Sequence, residues 1–107
     1  MEKYRLNFDI DNPIFVSVSE AAKLGGVQDK TVRRALKTPN TPIKFKIIKD
    51  RYHIDLASFL SYLYKTKKLK NKLINFGLGQ YVKEWKEADK LTTTINYEIL
   101  KKKFDNK

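Results

Sequence analysis

Two adjacent glycines, Gly25 and Gly26, divide the stretch SEAAKLGGVQDKTVRRALK into two short segments with apolar residues at helical spacing. Glycine adopts the left-handed backbone conformation that ends many helices, and it permits two chain segments to approach closely. The pair therefore predicts a tight break between two helices. We expect the first helix to begin at Glu20 with Ser19 as its N-cap, and the second helix to cover residues 29–37.

The second helix separates apolar from cationic residues. At about 100° per residue, the apolar side chains share one face, which is formed by Val32, Ala35 and Leu36. The opposite face and its flanks carry Lys30, Thr31, Arg33, Arg34 and Lys37. We expect the apolar face to pack on Leu24 of the first helix, which leaves the cationic face for solvent or a ligand.

Short β-structure is predicted on both sides of this helix pair. Four apolar residues suit a strand ahead of the first helix: Ile14, Phe15, Val16 and Val18. The loop TPNTP at 38–42 cannot continue a helix, because its two prolines lack amide donors. Apolar and polar residues then alternate over 43–54 and predict a β-hairpin with Lys49, Asp50 and Arg51 at its polar tip.

A third helix has the strongest periodicity in the chain. With Asp55 as its N-cap, apolar residues occur at positions i, i+3, i+4, i+7 and i+8, which are Leu56, Phe59, Leu60, Leu63 and Tyr64. The predicted order is therefore a strand, two helices, a hairpin and a closing helix.

The chain of 107 residues has the length of one domain with one hydrophobic core. We predict an N-terminal arm at 1–13, the main domain at 14–68 and a helical extension at 69–107. The extension carries Leu69, Leu73 and Phe76 on one stripe, a further helix with Tyr81, Val82, Trp85 and Ala88, and a short helix ending near Phe104. Three interpretations of this apolar surface are open: it folds back on the domain, forms a homodimer or docks on another protein.

The charge of the chain favours a polyanionic partner. It has 23 Lys and Arg against 12 Asp and Glu, a formal net charge of +11. Nucleic acid is the first candidate and an anionic membrane surface the second. Nineteen of these cations are lysine, so part of the excess is also consistent with a lysine-rich codon bias.

Composition and motifs exclude several other classes. The chain has no cysteine and one histidine, so we expect neither a disulfide nor a metal site. The acidic residues form no paired arrangement, and no phosphate-binding glycine loop is present, so we expect no enzymatic activity and no cofactor. No apolar run reaches the roughly 18 residues of a membrane span, which predicts a cytoplasmic protein.

From Phe15 to Leu63 the chain resembles the excisionase-like and MerR-like winged helix-turn-helix domains. VSVSEAAKLGGV is similar to their first helix and turn, and KTVRRAL to their recognition helix, with a threonine, an apolar residue and two basic residues. IIKDRYHIDLASFLSYL looks like their wing and closing helix, although family wings usually carry a glycine where this chain has Lys49 and Asp50. The resemblance implies a mainly α fold with a small β-hairpin wing, here followed by a C-terminal helical extension.

The resemblance also implies a function. It predicts a sequence-specific protein that binds double-stranded DNA, either a transcriptional regulator or a directionality factor that bends DNA for a recombinase. The implied major-groove residues are Gln28, Lys30, Thr31, Arg33, Arg34 and Lys37, and the wing residues for the backbone or minor groove are Lys49 and Arg51.

Each of these residues also has a simpler interpretation. The helix cations are consistent with a solvated face, Thr31 with a residue that stabilises the first turn, and the wing cations with edge-strand charges that prevent aggregation. A different function is a winged-helix module that docks on a protein through the aromatic C-terminal segment. RNA binding is a third, weakened by the absence of the aromatic and glycine signatures of common RNA modules.

Overall fold

A computed structural model of the chain describes residues 14–81 and 102–105. The protein is mainly helical and contains a small three-stranded antiparallel sheet. The elements, in chain order, are β1 (Phe15–Val16), α1 (Val18–Gly25), α2 (Asp29–Lys37), β2 (Phe45–Ile48), β3 (Arg51–Asp55), α3 (Leu56–Leu63) and α4 (Lys67–Phe76). A 3₁₀ helix follows at Leu78–Tyr81, and residues 102–105 are helical. The predicted arm at 1–13 lies outside the described residues.

The start of α1 differs from the prediction. Ser17, not Ser19, is the N-cap: its hydroxyl accepts a hydrogen bond from the Glu20 amide at 3.1 Å, and the Glu20 carboxylate accepts one from the Ser17 amide at 3.2 Å. This reciprocal pair is a capping box, whose Ser-x-x-Glu spacing is present in the sequence. Val18 is consequently the first residue of the helix, and its assignment to the strand was wrong.

The capping box gives a direct test of this correction. We expect Ser17→Ala to lower the free energy of unfolding by about 1 kcal/mol, because the Glu20 amide loses its acceptor. Ser19→Ala is the matched control, since that exposed hydroxyl makes one long hydrogen bond to Asp29, at 3.4 Å. Urea unfolding of both variants measures the difference. Equal losses would contradict the assignment of Ser17 as the cap.

The break between α1 and α2 is confirmed at the double glycine. Gly26 has a left-handed backbone with φ of 72°, and the Gly26 and Val27 amides donate to the last carbonyls of α1 in a Schellman arrangement. The second helix covers the predicted range, 29–37. Its apolar face is buried as expected and packs in one core with α1; the buried residues are Val32, Ala35 and Leu36.

The sheet has the strand order β1-β3-β2. The predicted hairpin is present, and its turn consists of Lys49 and Asp50 with φ of 52° and 65°. Positive φ at both central residues is the signature of a type I′ turn, which asparagine and aspartate tolerate better than most residues. Arg51 was assigned to the tip, but it lies in β3 opposite Ile48 because the turn has only two residues. Pairing of β1 with β3 completes the sheet.

The helix α3 is buried as predicted, but it is not capped as predicted. Asp55 occupies the N-cap position without a side-chain hydrogen bond to the helix. The Ser58 hydroxyl instead donates to the Asp55 carbonyl at 2.9 Å and accepts from the Lys44 amide at 2.8 Å. This hydroxyl links the start of α3 to the residue before β2. The inner face of α3 is fully buried, as expected from its periodicity: Leu56, Phe59, Leu60, Leu63 and Tyr64.

The described part of the C-terminal extension adds to the same core. Leu73, Leu78 and Phe104 are buried in it, and the rings of Tyr81 and Phe104 meet edge to face with centroids 6.2 Å apart. Phe76, predicted to lie on one stripe with Leu69 and Leu73, is 65% exposed. The proposed boundary after residue 68 falls inside α4. The predicted helix with Val82, Trp85 and Ala88 lies outside the described residues.

The C-terminal ends of α1 and α4 meet through glycine backbone. A Cβ atom on Gly26 would contact the Lys72 carbonyl oxygen, and one on Gly77 would contact the Leu24 carbonyl oxygen. No side chain separates the two segments at this point. The contact therefore holds the end of α4 against the turn that precedes α2.

None of the helices among the described residues is long and apolar enough to cross a membrane.

Candidate nucleic-acid interface

The outer face of α2 brings together most of the predicted site. Gln28, at the N-cap position, is exposed and makes no capping hydrogen bond through its side chain. The four cations of the helix are all exposed: Lys30, Arg33, Arg34 and Lys37. Thr31 is half-buried, on the flank between this face and the core. The structure thus presents five of the six α2-associated candidates to solvent.

The four cations of α2 form like-charged pairs on one face of the helix. Lys30 and Arg34, and likewise Arg33 and Lys37, are like-charged pairs at i and i+4, an arrangement that destabilises a helix by a few tenths of a kcal/mol. Arg34 and Lys37 lie in the last turn, where the helix dipole favours cations. Within the described residues, none of the four forms an ion pair. The face is a concentrated positive surface, and Asp29, four residues before Arg33, is the one carboxylate of this helix.

The hairpin presents a second cationic group. Lys49 in the turn and Arg51 at the start of β3 are both exposed. They lie on a different element from the α2 cations, so the site predicted from sequence is divided between a helix and a hairpin.

Additional residues belong to the hairpin patch. Lys46 lies on β2 with its amine 4.5 Å from the centroid of the Phe15 ring, a cation–π contact across the sheet. Ile47 and Ile48 are 58% and 45% exposed beside the turn. Lys46, Ile47 and Ile48 were not among the predicted site residues. The signal that the sequence offered for this strand was the alternation of Lys44 and Lys46 with apolar residues. β2 is an edge strand, so Lys46 also protects an unpaired edge.

Two observations concern metal binding and cavities among the described residues. No group of three or more His, Cys, Asp or Glu residues in 14–81 and 102–105 is arranged to hold a metal ion. A cavity of about 480 Å³ lies between α1, Phe76 and Phe104. Its lining includes Lys23 and Asp105, whose charged groups are 3.7 Å apart, and is otherwise mainly apolar.

Comparison with protein-family models, curated proteins and solved structures finds no match for this chain.

Proposed function

We propose that this protein binds double-stranded DNA sequence-specifically as a winged helix-turn-helix protein. In this proposal α2 enters the major groove and the β2–β3 hairpin contacts the backbone or the minor groove. The observation that carries it is the outer face of α2, where four exposed cations share one helix whose opposite face is buried. A major groove about 12 Å wide accepts such a helix, and Lys and Arg side chains reach guanine acceptors or phosphates.

The hairpin supports the same proposal. Its two-residue turn carries Lys49 at the tip, with Arg51 directly after it. Phosphate contacts from such a hairpin fix the orientation of the protein on the duplex without reading sequence. We therefore predict that α2 reads the bases and that the hairpin positions the protein on the duplex.

Two biological roles fit this binding mode. A transcriptional regulator would need only an operator site, whereas a recombination directionality factor would bend DNA and contact a recombinase. Binding of a recombinase to the protein–DNA complex separates them, because transcriptional regulators also bend DNA. A homodimer would place two α2 helices on half-sites about one helical turn apart.

The alternative of a protein-docking module is less well supported by the described residues. Its proposed surface, the aromatic C-terminal segment, has Leu78 and Phe104 in the core of this chain. Phe76 is the large apolar side chain that the described part of the segment exposes. The net charge of +11 also favours a polyanion over an apolar protein surface.

Salt dependence tests the proposal. If α2 and the hairpin neutralise about five or six phosphates, the logarithm of the association constant should fall with the logarithm of salt concentration with a slope near −5. Fluorescence anisotropy with a duplex selected from a randomised pool gives this slope. Single-stranded RNA and a pull-down without nucleic acid are the comparison arms. A flat salt response, or no duplex binding at low salt, would reject the proposal.

A further inference from the structure

A second cationic surface lies on α4, outside the predicted site. The polar part of its solvent side, named here the α4 outer face, contains only lysine and asparagine: Lys67, Lys68, Asn71, Lys72 and Asn75. Lys72 is half-buried and the other four are exposed. The sequence contains no Asp or Glu between residues 56 and 81. Every long polar side chain on this face is therefore a hydrogen-bond donor, and none is an acidic partner for the lysines.

This arrangement costs the helix stability. Lys68 and Lys72 are a like-charged pair at i and i+4, and Lys67 and Lys68 lie in the first turn, where the helix dipole disfavours cations. Lys70 differs from them, because its amine lies 5.2 Å from the centroid of the Tyr64 ring. A polyanion bound along the outer face would offset both penalties.

The C-terminal end of α4 lies against the turn before α2. The Lys72 carbonyl is against Gly26, two residues before Gln28, so the C-terminal end of α4 adjoins the turn that leads into α2. At 1.5 Å per residue, the ten residues of α4 extend about 15 Å along its axis. That length corresponds to about four or five base pairs of duplex at 3.4 Å each.

From this placement we infer that the α4 outer face contacts the DNA backbone on the base pairs that flank the site read by α2. The inference rests on the proposed function and adds to it a phosphate-binding surface. Lysine and asparagine both donate hydrogen bonds to phosphate oxygens. A membrane surface fits less well, because a helix lying on a bilayer presents an apolar face, whereas Leu73 and Ile74 of α4 are buried in the protein. Phe76 is the apolar exception at the end of the outer face.

Nested duplexes test the inference. The selected duplex is trimmed to the shortest length that keeps sequence preference, and flanks of five base pairs are then restored. We expect the wild-type protein to bind the flanked duplex more tightly, and Lys68→Gln/Lys72→Gln to lose this gain while binding the shortest duplex normally. Two lost phosphate contacts predict a salt slope shallower by about two on the flanked duplex, or about a tenfold smaller change in affinity between 50 and 200 mM salt.

The matched control is Lys30→Gln/Lys37→Gln, which removes the same charge from α2 and should weaken binding at every duplex length. Urea unfolding confirms that both double variants are folded. Retention of the flank gain by the α4 variant, or equal losses at all lengths, would overturn the inference while leaving the proposed function intact. Flotation with phosphatidylserine vesicles tests the membrane alternative. If the α4 variant binds every duplex as the wild-type protein does but no longer floats with the vesicles, the surface is assigned to a membrane instead. Absence of duplex binding by the wild-type protein would overturn both proposals.

Discussion

Gly77→Ala is expected to lower the free energy of unfolding by about 3 kcal/mol, the upper part of the usual range for an overpacked core. The new Cβ would contact the Leu24 carbonyl oxygen and lie 2.7 Å from the Gly25 carbonyl carbon. Both neighbours are backbone atoms, which cannot move aside by a change of rotamer. The ends of α1 and α4 must therefore separate, and the contact that holds α4 against the turn before α2 is lost.

Gly26→Ala should destabilise the protein at least as much. Its Cβ would lie against the Lys72 carbonyl oxygen, and the φ of 72° adds roughly 1–2 kcal/mol for a residue with a side chain. Gly26→Asn separates the two causes, because asparagine tolerates this φ but not the crowding.

Urea unfolding followed by circular dichroism measures these losses. Asn75→Ala is the matched control, since it adds alanine to an exposed position of the same helix and should leave stability unchanged or slightly raised. A loss below about 1 kcal/mol for Gly77→Ala would contradict the close contact between α1 and α4.

Arg34→Ala is expected to weaken binding to the selected duplex by about 1–3 kcal/mol and to relax the preference at one base position. This is the loss for a bidentate contact with a guanine, which the proposed function assigns to α2, where Arg34 is exposed on the outer face. The same variant should bind a scrambled duplex nearly as well as the wild-type protein does.

The hairpin variants provide the contrast. Lys49→Ala and Arg51→Ala should weaken binding to the selected and scrambled duplexes alike, and each should reduce the salt slope by about one. Competition titrations with single-base variants of the selected site measure both effects. Sequence-independent losses from all three substitutions would leave α2 with nonspecific attraction only.

Local sequence patterns determined most of the elements that form the candidate interface. The range of α2 and the separation of its buried and cationic faces follow from helical periodicity, because both depend on residues within three or four positions. The hairpin and the burial of α3 follow from alternation and from a seven-residue spacing in the same way. The start of α1 was also determined locally: the Ser-x-x-Glu spacing of the capping box between Ser17 and Glu20 is in the sequence, although the prediction placed the N-cap at Ser19.

The tertiary structure decided the contacts between segments that are distant in the chain. Gly26 predicted a helix end from its own conformational freedom, but its close approach to Gly77, about fifty residues later, depends on how α4 packs. The pairing of β1 with β3, and the placement of Lys46 over Phe15, likewise join residues about thirty or more positions apart. Local periodicity shows which face of an element is buried but not which partner covers it, because many packings bury the same apolar area. For that reason the α4 outer face is visible in the sequence only as a run of lysines, and the packing of its helix end against the turn before α2 is decided by the fold.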